Sequence, residues 1–153
     1  MVKEGNKAPA FTANDQDGKK VKLSDYKGKK VALYFYPRDM TPGCTKQACS
    51  LRDGFSKLKK KDIVILGVST DDEAKHQKFI AKYDLPFTLI ADTDSKVSEK
   101  YGVWVEKNMY GKKYMGIKRT TFLINEEGRI VKIFDKVKVS EHADEVLEGF
   151  AVA

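Results

Sequence analysis

Val31-Ala32-Leu33-Tyr34-Phe35-Tyr36-Pro37 is the stretch on which the reading of the fold turns. Six apolar residues follow one another without a polar interruption, and a proline stops them. A strand with one wet face alternates apolar and polar side chains; this one does not, so it is expected to be covered on both faces, at the centre of a sheet. Ile63-Val64-Ile65-Leu66-Gly67-Val68 and Phe87-Thr88-Leu89-Ile90 repeat the pattern. Between the first two runs, Cys44, Ala48, Leu51, Phe55 and Leu58 form one stripe of a 3.6-residue period, which predicts a helix over residues 44–60. A second helix is predicted over 72–83, with His76, Phe79, Ile80 and Tyr83 inward, and a short third over 95–101. A last helix starts at Ser140 and carries Ala143, Val146, Leu147 and Phe150 on its apolar stripe. Asp15-Gln16-Asp17-Gly18 and Asn125-Glu126-Glu127-Gly128 read as hairpin turns, the second between strands at 121–124 and 129–134. Strands alternating with helices imply βαβ units. The expected architecture is α/β, a central mixed sheet with helices on both faces. It is expected as a single domain over 1–153, because no repeat, low-complexity tract or linker divides the chain.

Composition narrows the class. The chain of 153 residues is 41 % hydrophobic and 33 % charged, too rich in core residues for disorder and too polar for a membrane protein. The six-residue run falls far short of the roughly 20 apolar residues that span a bilayer. Met1-Val2-Lys3-Glu4-Gly5-Asn6 leads into no apolar segment of the secretory kind, so the cytoplasm is the expected compartment. The 29 Lys and Arg against 22 Asp and Glu give a net charge of +7. Its densest cluster, Lys57, Lys59, Lys60 and Lys61, has neither interleaved aromatics nor a nucleic-acid reading motif, and reads as a solvated helix end.

The two cysteines, Cys44 and Cys49, carry the chemistry. In a chain of cytosolic type such a pair is more often catalytic or metal-binding than a structural disulfide. On one intact helix, five residues place the Cα atoms roughly 8.6 Å apart, and a disulfide tolerates at most about 7 Å. A Cys44–Cys49 bond would therefore require the first turns to unwind, as in a redox cycle rather than a staple. Thr41-Pro42-Gly43-Cys44 follows a strand and loop and opens a helix. The free amides and dipole of a first turn favour a thiolate, the nucleophilic form. The opposing reading of Cys44 is an inert cysteine on a core face.

Pro37-Arg38-Asp39-Met40-Thr41-Pro42-Gly43-Cys44, preceded by Tyr34-Phe35-Tyr36, resembles the P-x-x-x-T-x-x-C segment of peroxiredoxins. Cys49, five positions on, is similar to that of the bacterioferritin comigratory protein, or peroxiredoxin Q, subfamily. The likeness continues through Gly67-Val68-Ser69, Lys82-Tyr83-Asp84-Leu85-Pro86-Phe87 and Gly116-Ile117-Lys118-Arg119-Thr120-Thr121-Phe122-Leu123-Ile124, and covers nearly the whole chain. The resemblance implies a thioredoxin-like fold and reduction of hydrogen peroxide or organic hydroperoxides by thiol chemistry, with no cofactor and no metal. Cys44 would be the peroxidatic thiolate and Cys49 the resolving cysteine of an intrachain disulfide. Thr41 would orient the peroxide, Arg119 would stabilise the thiolate and the charge developing on oxygen, and Pro37 would shield the centre. A thioredoxin or similar dithiol would be the reductant. With both thiols in one chain, a monomer suffices.

Three other readings compete. A metal site could recruit Cys44, Cys49, His76 and His142, but no C-x-x-C or H-x-x-x-H pair supports it, and both histidines read as structural. General dithiol–disulfide exchange usually relies on C-x-x-C. A redox-responsive or nucleic-acid-binding module would use the basic surface without catalysis.

Overall fold

The computed structural model describes residues 2–152. Strands β1 (Thr12–Asp15) and β2 (Lys20–Lys22) form the first hairpin, and β3 (Lys30–Phe35) is the apolar run. Helices α1 (Pro42–Asp53) and α2 (Phe55–Lys60) lead to β4 (Ile63–Ser69). Then come α3 (Glu73–Tyr83), β5 (Thr88–Ala91) and α4 (Lys96–Lys100). A hairpin of β6 (Trp104–Met109) and β7 (Lys112–Ile117) precedes β8 (Thr120–Ile124), β9 (Ile130–Phe134) and α5 (His142–Ala151).

The seven-stranded sheet has the order β2-β1-β5-β4-β3-β8-β9, with β6 and β7 forming a separate pair. β3 lies parallel to β4 and antiparallel to β8, and β4 is parallel to β5, so the sheet is mixed as expected. The unbroken apolar character of β3 has the anticipated cause. Val31, Leu33 and Phe35 point into one buried cluster with Phe11, Val97 of α4, Tyr101 and Ile117. Ala32, Tyr34 and Tyr36 point into the other, with Cys44, Ala48 and Leu51 of α1, Leu58 of α2, Phe79 of α3 and Val146 of α5.

Several boundaries differ from expectation. The helix predicted over 44–60 begins earlier, at Pro42 behind the N-cap Thr41, and is broken at Gly54. A β-carbon there would lie 2.5 Å from that of Ala143, so only glycine admits α5 at this crossing, and the chain bends around the contact. The last helix starts at His142 rather than Ser140, which sits in a 3₁₀ turn over Val139–Glu141. The β6–β7 hairpin was not anticipated at all. Its strands are largely exposed and carry little apolar alternation. Its two-residue loop, Tyr110-Gly111, has φ values of 54° and 82°, the doubly left-handed turn that usually announces itself as Asn-Gly.

Candidate active site

The site forms where β3 ends and α1 begins. Tyr36 is the last buried residue of the strand run, half-buried Pro37 ends it, and exposed Arg38 and Met40 flank buried Asp39. Thr41 is the extended N-cap of α1, with Pro42 at the first helical position, where a missing N–H costs nothing. Its hydroxyl donates to the Arg38 carbonyl at 3.0 Å, closing the loop. Cys44 is the third residue of the helix. The Gly43 and Cys44 amides in this first turn have no carbonyl four residues earlier within the helix.

Arg119 comes to Cys44 through sheet register. β8 pairs with β3 so that Thr120 faces Phe35. Arg119 therefore leaves the sheet beside Tyr36 and Pro37, at the mouth of α1. Its Nη2 donates to Cys44 Sγ at 3.3 Å, and its Nη1 donates to Gln47 Oε1 at 2.5 Å. Gly43 makes room for the guanidinium, since a β-carbon there would stand 3.1 Å from Nη2. Cys44 itself is 1 % exposed, within the cluster of Tyr34, Tyr36, Ala48 and Leu51. Both readings of this residue thus meet in one side chain: it lies on a core face, and its sulfur contacts a permanent cation. Cys49, half-buried on the same intact helix, is a free thiol, as is Cys44.

Sequence reasoning missed the residues that frame this pair. Gln47 is fully buried on the apolar face of α1 and aims Arg119; a polar residue three positions from Cys44 on that stripe was the available signal. Lys107, on β6, has its proton affinity lowered by partial burial and by the Arg119 charge, against a raising influence of Cys44. Tyr34, on β3, is held well above the ordinary phenol value by burial, then by Asp39 and Cys44, against Arg119. Both histidines are fully buried and engaged at both ring nitrogens: His76 by Asp39 and the Ile90 carbonyl, His142 by Glu145 and Thr121. Neither has a ring nitrogen to spare for a metal, and no group of three or more metal-ligating side chains occurs among the described residues.

The sequence model of the AhpC/TSA family matches residues 4–133. The chain is 56 % identical to a putative peroxiredoxin bcp of Coxiella burnetii over 146 residues, 95 % of this chain and 97 % of that one. The chain belongs to the peroxiredoxins. Its relatives of the Bcp type include peroxiredoxin Bcp of Bacillus subtilis, 50 % identical over 96 % of this chain and 94 % of its own. A solved structure of the Xanthomonas campestris bacterioferritin comigratory protein, described for its alkyl peroxide reduction activity, aligns with a TM-score of 0.87 at 37 % identity. That alignment covers 93 % of this chain and 90 % of that one. The thioredoxin-like fold and the enzyme class, a peroxidase, follow from this membership. No helix among the described residues is long and apolar enough to cross a membrane.

Proposed function

We propose that this peroxiredoxin reduces hydrogen peroxide and organic hydroperoxides through a two-cysteine cycle contained in one chain. The Cys44 thiolate attacks the terminal oxygen of R–O–O–H. The O–O bond breaks, sulfur takes up OH as a sulfenic acid, and the alkoxide leaves with a proton from solvent as R–OH. The Cys49 thiol then displaces water from the sulfenic acid to form the Cys44–Cys49 disulfide. An external dithiol of the thioredoxin kind reduces that bond and is itself oxidised.

The contact of Arg119 Nη2 with Cys44 Sγ in the first turn of α1 carries this reading. A fixed, undeprotonatable cation favours the attacking anion and the negative charge that develops on the leaving oxygen. The first-turn amides add to the same field. Thr41 swings its hydroxyl from the Arg38 carbonyl to orient the peroxide, acting as donor and acceptor. Pro37 covers the centre against water. Both cysteines lie on one helix, so the disulfide forms only as α1 unwinds, and no second copy of the chain is required. The cytoplasm, where dithiol reductants keep thiols reduced, suits this cycle.

The test is mass spectrometry after one equivalent of hydrogen peroxide, with and without a thioredoxin system. The parent protein should lose two hydrogens and regain them on reduction. Cys49→Ser should take up one oxygen and then stall, and Cys44→Ser should consume no peroxide. Sustained multiple turnover by Cys44→Ser would overturn the assignment.

A further inference from the structure

The loop that carries Thr41 is tied down by a second polar cluster, separate from Cys44 and unused by the cycle above. Asp39 stands two residues before Thr41 and is 6 % exposed. Its Oδ1 accepts from the Tyr36 hydroxyl at 2.5 Å, and its Oδ2 lies 2.7 Å from His76 Nδ1. The Asp39 amide donates to Asp71 Oδ2 at 2.7 Å, which also accepts from Ser69 Oγ at 2.7 Å. His76 Nε2 is 2.9 Å from the Ile90 carbonyl. A carbonyl only accepts, so Nε2 carries a proton, and Nδ1 and Asp39 share another. The loop is thereby fastened at once to the ends of β4 and β5 and to α3.

Two observations indicate what the fastening is for. Replacing a buried ion pair with packed apolar groups is often neutral or stabilising, so stability alone is a weak reason to keep one. The backbone between the cluster and Thr41 needs holding: Met40 has φ 68°, a left-handed conformation unfavourable for a non-glycine residue. The residue is 41 % exposed, so packing does not hold it there. Its neighbours do, with Asp39 clasped on one side and Thr41 at the helix cap on the other.

We propose that the Asp39–His76 pair is the positioning clasp of the peroxide-binding loop, keeping the Thr41 hydroxyl and the first turn of α1 in register with the Cys44 sulfur. This rests on the peroxidatic reading above. His76 is a positioning residue and touches no substrate. The charged groups around it are Asp39 from the loop, Asp71 from the connection between β4 and α3, and Lys75 of α3, whose Nζ lies 3.9 Å from Asp71 Oδ1. Burial disfavours the imidazolium, but the Asp39 hydrogen bond and charge, aided by the Ile90 carbonyl and Asp71, outweigh it and hold its proton above the ordinary histidine value.

The test compares two reactions of the same sulfur: single-turnover oxidation by hydrogen peroxide and alkylation by iodoacetamide. Both need the thiolate, but only the first needs the loop. A clasp that merely braces the fold would leave their ratio unchanged or raise both rates by exposing Cys44. In His76→Leu the peroxide-to-iodoacetamide ratio should fall at least about tenfold, the scale of effect that a small misplacement produces. His76→Asn places an amide donor near Nδ1 and should lose no more than about threefold, while Tyr36→Phe, which removes one donor and keeps the ring packing, should lose about three- to fivefold. Ratios within about twofold of the parent in folded His76→Leu and in Tyr36→Phe would overturn the clasp. Should His76→Leu fail to fold, Tyr36→Phe decides by the same criterion. A parent Cys44 no more reactive to peroxide than a free thiol would instead remove the peroxidatic reading, and the clasp's role with it.

Discussion

Replacing Arg119 by methionine tests the contact on which the proposed chemistry depends. The guanidinium Nη2 lies 3.3 Å from Cys44 Sγ, and at an effective dielectric constant near 20 a unit charge pair at that separation interacts by about 5 kcal/mol. Arg119 is only partly buried, so solvent screens a share of this. Hydrogen bonds to charged groups contribute about 1.5–3 kcal/mol net. Taking about 2–3 kcal/mol as the part felt in the transition state predicts a roughly 30- to 150-fold slower peroxide reaction. Methionine keeps most of the volume, so the fold should survive. Arg119→Lys should recover less than about tenfold, because one ammonium cannot span Cys44 and Gln47 as the fork does. The assay is stopped-flow oxidation of fully reduced protein, with far-ultraviolet circular dichroism as the control. An Arg119→Met variant oxidised within about threefold of the parent rate would refute the reasoning.

Gly43→Ala should push the guanidinium aside, since the new β-carbon would stand 3.1 Å from Nη2; peroxide oxidation should slow by about three- to tenfold, the scale of one hydrogen bond, with the melting temperature nearly unchanged. In protein verified by mass as disulfide-bonded, hydrogen exchange should show lost protection in α1 and retained protection in α2, because the break at Gly54 separates them; unchanged protection in α1 would contradict the conditional bond. His142 has its proton affinity lowered, chiefly by burial, with Glu145 opposing and the Arg119 charge adding. Its unfolded form therefore binds a proton first as pH falls below about 6.5, so acidification through that range favours unfolding. Urea midpoints at neutral and mildly acidic pH should fall less for His142→Asn than for the parent.

What the sequence made legible and what it hid divide along one physical line. Features written in local periodicity could be read: β3 as a buried central strand, the stripe of Cys44, Ala48, Leu51 and Leu58, and the hairpin turns at residues 15–18 and 125–128. Features that arise from register or close approach could not be read from local pattern, and Arg119 entered the expected site only through the family resemblance. Arg119 reaches Cys44 because β8 is antiparallel to β3 with Thr120 opposite Phe35. No spacing rule encodes that pairing, and on local grounds Arg119 is an ordinary arginine before a strand. The break at Gly54 depends on α5 crossing there, a contact 89 positions away in the chain, between Gly54 and Ala143. The helical stripe puts His76 on an inner face, but its partner Asp39 sits in a loop where an acidic residue reads as solvated. Gln47 leaves no signal in an apolar periodicity, because a lone polar residue on such a stripe does not change its period, whereas here it holds the cation.

The proposed cycle requires α1 to be both well packed and able to open. Leu51 and Ala48 anchor α1 in the core at 1 % and 0 % exposure, and burying a leucine is worth about 1.5–3 kcal/mol. Against this, the buried atoms Thr45 Oγ1 and Gln47 Nε2 on α1, and Tyr34 Oη beneath it, find no hydrogen-bond partner among the described residues. Each such atom costs about 1–3 kcal/mol while it stays dry. Two of the three lie on the segment that the proposed cycle unwinds, between Cys44 and Cys49. In the proposed cycle, opening of the first turns would give those two atoms hydrogen-bonding partners in solvent, offsetting part of the lost burial of Cys44 and its neighbours. These polar atoms would thus lower the cost of the conformational step without loosening the Leu51 anchor, which would restore the helix once the disulfide is reduced.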